Sequence, residues 1–336
     1  MTRTEQTLNS NKRIGVHATE GSISESVRKA KLADKMGFDS IWHSEHYGEL
    51  REPFTSIAAL ATATNRIKLA TGVIGPYTRH PAIMAFTVGT LDELSNGRMI
   101  FGIGAGNLTR LKNKLCIEGD RPLTFIKESI EIVRQLLTGE TVSYRGQIFQ
   151  VSELTLGFNP IRNKIPIYIG ATGEHMLKLT VRIADGVLFS MATSLNYVKY
   201  ATKVMQEEAK RIHRDFDEID VASNISCAVS EDSDLAREAV KPGIISFLSR
   251  PVRGEDIMGK ADLSTDLLVP IRRALQKGDR KEALKSVTDE IIDSLSIAGT
   301  PDECIKKLKQ WRTAGVKLPV IAPKINYEET IKVLAP

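Results

Sequence analysis

Cysteine is scarce: the 336 residues hold three, Cys116, Cys227 and Cys304, far apart, with no CxxC pair and no histidine at ligand spacing. That excludes a disulfide framework and a zinc site and leaves reduced thiols; no metal is expected. No apolar run approaches the roughly 18 residues of a membrane span. Residues 1–12 are too polar for a secretory leader and read as a frayed tail, so the cytoplasm is the expected location. Lys and Arg number 46 against 41 Asp and Glu, and no block of like charge gathers them. This is the pattern of a solvated surface, or of a mild field favouring an anionic ligand such as a phosphorylated cofactor. Nothing supports nucleic-acid or membrane binding.

What is present is ordinary for a globular chain, 42% hydrophobic and 26% charged. The length suits one large domain or two small ones, and a (β/α)8 barrel needs roughly 250 residues before insertions. Residues 13–17 read as a strand, followed by a helix over 23–36 with Ser22 or Ser24 as cap and Glu25 in its first turn. Strands follow at 39–42, 67–71 and 99–104, each after a helical stretch. A hairpin over 141–151 turns at Arg145-Gly146. Further strands fall at 165–170, 186–189, 221–228 and 318–322, which makes eight slots in all. Alternation of strand and helix argues a parallel sheet with helices outside it, and eight slots favour a closed barrel over an open Rossmann sheet. Residues 13–336 are expected to form one barrel domain, with 233–296 as a mostly helical insertion.

The chemistry-bearing segments lie where strands end. Lys68-Leu-Ala-Thr-Gly-Val-Ile-Gly-Pro76 and Arg98-Met-Ile-Phe-Gly-Ile-Gly-Ala-Gly-Asn107 are apolar runs that finish in glycine, which lets backbone approach a ligand closely. Gly102-Ile-Gly104-Ala-Gly106 is spaced GxGxG, and a helical pattern resumes only near Thr124, so it fits a dinucleotide fingerprint poorly. A glycine-lined mouth and a plain tight turn remain the alternatives. Ile169-Gly170-Ala-Thr-Gly173-Glu-His-Met176 is a strand feeding a helix, whose first N–H groups can face a phosphate; an ordinary turn reads equally well. Ser44-Glu45-His46-Tyr47 lies just past strand two, where barrel active sites collect polar groups, and His17 ends strand one.

On these residues the chain resembles the luciferase-like superfamily of barrel flavin and deazaflavin enzymes. Within it, the chain is similar to coenzyme F420-dependent methylenetetrahydromethanopterin reductases. The resemblance runs from Ile14 to about Ala322. It rests on Gly37-Phe-Asp39, Ser44-Glu-His-Tyr47, Thr71-Gly-Val-Ile-Gly-Pro-Tyr77, Gly89-Thr-Leu-Asp-Glu-Leu-Ser-Asn-Gly-Arg98, Gly102-Ile-Gly-Ala-Gly106 and Ile167-Tyr-Ile-Gly-Ala171. Val287-Thr-Asp-Glu-Ile-Ile-Asp293 and Ser296-Ile-Ala-Gly-Thr-Pro-Asp302 match the reductase branch in particular.

The resemblance implies a luciferase-like TIM barrel that binds coenzyme F420, an 8-hydroxy-5-deazaflavin, and transfers a hydride to a small substrate in one-carbon metabolism. FMN and a monooxygenase reaction are the alternative, and a cofactor-binding relative without catalysis is a third reading. It implies a homodimer or higher homo-oligomer. The cofactor residues carried over are Thr71, Gly72, Val73, Gly106, Asn107 and Gly170, Ala171, Thr172, Gly173, Glu174, with a cis peptide at Gly72–Val73. The catalytic residues are His17, Glu45 and His46. Three of these positions depart from the family pattern: His17 replaces a glutamate, and Glu45 and Asn107 each replace an aspartate. The related sugar-phosphate dehydrogenases usually place glutamate at the Asn107 position, so they are the poorer match.

Overall fold

The computed structural model describes residues 13–19, 21–250 and 252–336, so the expected tail over 1–12 lies outside the described residues. Among the described residues eleven strands are present: β1 Gly15–His17, β2 Ser40–His43, β3 Lys68–Thr71, β4 Met99–Gly104, β5 Val142–Arg145, β6 Gln150–Leu154, β7 Ile167–Gly170, β8 Gly186–Phe189, β9 Asp220–Val229, β10 Ser296–Gly299 and β11 Leu318–Pro323. Nine lie in one sheet, ordered β10-β9-β11-β1-β2-β3-β4-β7-β8, with β9 pairing β8 as well. This is the (β/α)8 barrel expected from eight strand slots, and all eight slots are strands.

The chain divides into two compact units. One comprises His17–Leu188 and Met205–Asp220. In it β2, β3, β4 and β7 run side by side and parallel, with His43 opposite Thr71 and Gly104 opposite Gly170. Helices Ile23–Lys35, Pro53–Ala63, Pro81–Leu94 and Pro122–Leu136 return the chain between strands. Ser22 caps the first with a reciprocal capping box: the Glu25 N–H donates to the Ser22 hydroxyl, and the Ser22 N–H donates to the Glu25 carboxylate. The β5–β6 hairpin is held by Glu128, whose buried carboxylate accepts the N–H groups of Gln147, Ile148 and Phe149. These bonds replace the solvation that the carboxylate loses.

The other unit holds residues 13–16, Phe189–Val204 and Val221–Pro336. Helices Ser233–Leu248, Arg253–Lys260, Leu268–Gln276, Arg280–Lys285 and Asp289–Leu295 fill the stretch expected to be helical. They bury a core of their own around Val240, Ile244, Met258, Ile271, Ile291 and Leu295. Burial of about 25 cal/mol per Å2 of apolar surface is what keeps such an inserted stretch folded.

Two elements differ from expectation. A helix, Leu108–Leu115, follows directly on the Gly-Ala-Gly of β4, so the gap assumed before Thr124 does not exist. It buries one side chain, Leu111, and at eight residues, Leu108–Leu115, it is too short for its Leu108, Leu111 and Leu115 stripe to stand out as a helix. β10 was read as the end of the insertion; it pairs in parallel with β9 from Ser296 opposite Ser226 to Gly299 opposite Val229. Among the described residues no helix is long and apolar enough to cross a membrane.

Candidate active site

All the candidate site residues fall in the unit His17–Leu188. The end of β3 is its most heavily bonded part. Thr71, fully buried, uses one hydroxyl twice: it donates to the Gly102 carbonyl at 2.8 Å and accepts the Gly102 N–H at 2.7 Å. A Cβ on Gly102 would stand 1.9 Å from the Thr71 carbonyl oxygen, so only glycine allows β4 this close. The peptide between Gly72 and Val73 is cis, as the resemblance implied. Around it the Gly72 N–H donates to the His43 carbonyl at 2.8 Å, and the Ser44 hydroxyl donates to the Gly72 carbonyl at 2.8 Å. The chain then returns to β4, with Ile74 N–H on the Gly102 carbonyl at 2.9 Å and Gly104 N–H on the Ile74 carbonyl at 3.0 Å.

Val73 explains two more glycines. A Cβ on Gly104 would lie 2.8 Å from one Val73 methyl, and a Cβ on Gly170 would lie 3.1 Å from the other. The valine therefore sits over the paired ends of β4 and β7, where any larger residue would displace it. Behind the bulge the Trp42 ring lies 3.0 Å from where a Gly72 Cβ would be, and it packs edge-on against Tyr168 at 5.4 Å.

Glu45 is consumed by this scaffold. Its carboxylate accepts the Gly75 N–H at 2.9 Å, the Tyr47 hydroxyl at 2.7 Å and the Arg79 guanidinium at 2.5 Å, and its side chain is 6% exposed. Arg79 continues to Glu52 at 2.8 Å, and Glu52 caps helix Pro53–Ala63 through the Thr55 N–H. Burial, and then the bond to Glu45, pushes the Tyr47 phenol up to about 12. A carboxylate with three donors is built to hold a loop.

His46 stands differently, with 43% of its side chain exposed. Its Nδ1 is 3.6 Å from the Glu49 carboxylate and 3.5 Å from the Arg110 guanidinium, and Arg110 also pairs with Glu49. Arg110 comes from helix Leu108–Leu115, whose N-cap is Asn107: the Asn107 side-chain oxygen accepts the Arg110 N–H at 3.1 Å. Asn107 thus caps a helix at the position where the relatives are expected to carry an acid. His17 ends β1 and is buried. Neighbouring His43 is also buried, which drives its imidazole down to about 4 and keeps it neutral at pH 7.

The turn after β7 is the opposite of the β3 end. Gly173 is the N-cap of helix Glu174–Ile183 and supplies no side-chain cap. Among the described residues the N–H groups of Gly173, Glu174, His175 and Met176 have no acceptor, as expected for an uncapped first turn. Cβ atoms on Gly173 or on Gly106 (φ +64°) would meet no heavy atom within 4 Å. Open space, bare donors and the positive end of a helix are what a phosphate requires.

Residues 7–318 match the family described as luciferase-like monooxygenase. The chain belongs to that family. It is 37% identical over 292 residues to the 5,10-methylenetetrahydromethanopterin reductase of Archaeoglobus fulgidus, covering 85% of each chain. It is 34% identical to the enzyme of that name from Methanolobus tindarius, over 91% of this chain and 92% of that one. The solved coenzyme F420-dependent tetrahydromethanopterin reductase of Methanopyrus kandleri superposes with a TM-score of 0.87 at 29% identity, covering 96% and 97% of the two chains.

The sequence reading singled out Glu45 and His46 together, and the structure separates them into a buried bracket and an exposed imidazole. It missed Arg79, Glu49 and Arg110. Arg79 was findable in principle, since a carboxylate in an apolar loop needs a cation or several donors. Arg110 was not, because it depends on the unforeseen helix.

Proposed function

We propose that this protein is a coenzyme F420-dependent oxidoreductase that reduces a one-carbon unit carried on a pterin, as the reductases it resembles do. The observation that carries this is the pairing of a hydrogen-bonded backbone segment at Gly72–Gly75 with an uncapped helix start at Gly170–Glu174, in a chain with that kinship. The residues fit the cofactor: the N–H groups of Gly173 to Met176, assisted by the Thr172 hydroxyl and Ala171, take the phosphate, and Gly106 leaves room beside β4. Thr71, Gly72 and Val73 back the ring. Bound deazaflavin supplies hydride transfer at C5, two electrons at a time.

The protein supplies position and protons. Glu45 belongs to positioning, because its lone pairs already hold Gly75, Tyr47 and Arg79. His46 is the proton partner beside the ring, exposed enough to exchange with water and steadied by Glu49 and Arg110. His17 is the substrate-side acid–base group, since an imidazole with a reference pKa near 6.5 suits proton transfer near neutrality. His17→Ala should lower turnover by about 100-fold or more with cofactor affinity nearly unchanged. Intact turnover, or lost affinity instead, would make His17 a structural or cofactor residue.

Fluorescence titration tests the cofactor: F420 should bind at micromolar levels or tighter, whereas FMN binding without a deazaflavin response would point to a monooxygenase. F420 binding with no turnover of any imine, alkene or alcohol substrate would indicate the inactive relative.

A homodimer, a single barrel domain and a cytoplasmic location belong to the same proposal. Helices Pro53–Ala63 and Pro81–Leu94 pack together, carry no Lys or Arg, and present Thr55, Thr62, Ile83, Thr90 and Leu94 outward. Light scattering should give a dimer that Ile83→Glu weakens. One cooperative melting transition is expected of a single domain. The exposed free thiol of Cys116 suits a reducing compartment.

A further inference from the structure

Two charged side chains make opposite demands on one nitrogen of His46. Arg110 Nη1 lies 3.5 Å from His46 Nδ1, and a Glu49 carboxylate oxygen lies 3.6 Å from the same atom. A guanidinium only donates, so it requires a lone pair on Nδ1. A carboxylate only accepts, so it requires a proton there. At nearly equal separations, distance does not decide between them.

Arg110 is the better placed of the two. Its side chain is 21% exposed against 56% for Glu49, so water screens less of its charge. Its other terminal nitrogen, Nη2, pairs with the Glu49 carboxylate and so neutralises the competitor. Its backbone is pinned as well: the Arg110 N–H donates to the Asn107 side chain at 3.1 Å, and buried Leu111 anchors the next position. Glu49 sits instead on an exposed turn, where its N–H donates to the His46 carbonyl at 3.2 Å. His46, Glu49, Asn107 and Arg110 all belong to the unit that holds the other reacting residues.

Which nitrogen of a neutral imidazole carries the proton is set by what the other nitrogen meets. We propose that Arg110 is a positioning residue: it takes the Nδ1 lone pair of neutral His46 and so holds the proton on Nε2, the nitrogen through which His46 then serves the reduction. Asn107, by capping the helix, sets where Arg110 stands. The inference rests on the reductase reading for the use of the proton, and on the geometry alone for the tautomer.

Nitrogen NMR of 15N-histidine-labelled protein reads the tautomer directly, with His46→Gln to assign the signal. At about pH 8.5 the imidazole, with its reference value near 6.5, is neutral. In the parent, about four fifths or more of His46 should carry the proton on Nε2. In Arg110→Met the carboxylate is freed to take a proton on Nδ1, and the Nε2–H form should fall to about one fifth. Then kcat should fall about fivefold with that population, while KM for the methylene-bridged pterin and affinity for F420 stay within about twofold. Arg110→Lys, whose ammonium also only donates, should restore most of the Nε2–H form and of the turnover, and Glu49→Gln should move the ratio further toward Nε2–H. A parent mainly in the Nδ1–H form, a ratio unchanged in Arg110→Met, or kcat lost without a shift in the ratio overturns the proposal. If Arg110→Met does not fold, Glu49→Gln decides, and a ratio moving toward Nδ1–H overturns it. If the parent reduces no pterin, the reductase reading has failed and the NMR comparison still judges the arginine. A shift in Arg110→Met then sustains its hold on the imidazole, and no shift overturns it.

Discussion

The end of β3 and the turn after β7 flank the same pair of glycines, Gly104 and Gly170, yet they are built in opposite ways. Between Gly72 and Gly75 the N–H groups of Gly72, Ile74 and Gly75 and the carbonyls of Gly72 and Ile74 already have partners, from His43, Gly102, Glu45, Ser44 and Gly104. From Gly173 to Met176 the N–H groups have none. The first region carries its shape without a ligand, and the second leaves its donors for a ligand to satisfy. For a cofactor with a ring at one end and a phosphate at the other, the contrast separates two tasks. The ring's backing must be rigid to orient hydride transfer, while the phosphate's backing has only to offer charge and donors.

The harshest way to break the comparison is glycine to alanine in each region. Gly102→Ala places a methyl 1.9 Å from the Thr71 carbonyl and should leave no folded protein by circular dichroism. Gly173→Ala meets no atom within 4 Å and should melt as the parent does, changing F420 affinity by less than about tenfold. Equal damage from the two would show that both regions are rigid.

His43 sharpens the contrast through pH. Its folded value near 4 lies below the unfolded value near 6.5, so the unfolded chain takes up the proton first as pH falls. Stability from this group is complete above about pH 6.5 and is lost as pH falls through about 4, by up to about 3 kcal/mol. Denaturant melts at pH 7, 5.5 and 4.5 should show the loss, and His43→Gln should remove this part of it. A slope unchanged in the variant would mean that His43 is protonated in the folded protein.

Smaller effects divide the two ends by kind. Glu45→Gln loses the ion pair to Arg79 and should cost about 1.5–3 kcal/mol of stability, leaving the pH profile of kcat in place. A shifted profile would return Glu45 to the chemistry. Thr172→Val should cost about 1 kcal/mol of F420 binding, because it removes one hydroxyl donor.

Which of these features a reader of the sequence meets depends on how local they are. The eight barrel strands are legible because each is a short apolar run bounded by turn residues, as in Lys68-Leu-Ala-Thr71. The phosphate turn is legible for the same reason: strand, glycines and helix are contiguous. The bracket on the bulge is not, because Glu45, Gly75 and Arg79 meet only once β2 and β3 pair. Asn107 reads as a lost acid and is a helix cap, since the eight residues Leu108–Leu115 are too few to announce a helix.

Hydrogen exchange with and without F420 tests the central claim most directly. In the free protein the amides of Gly72, Ile74, Gly75, Gly102 and Gly104 should already exchange slowly, and those of Gly173 to Met176 should exchange fast. Adding F420 should slow the second group and leave the first nearly unchanged. Fast exchange at 72–75 that slows only on binding, or no protection at 173–176, would contradict the account.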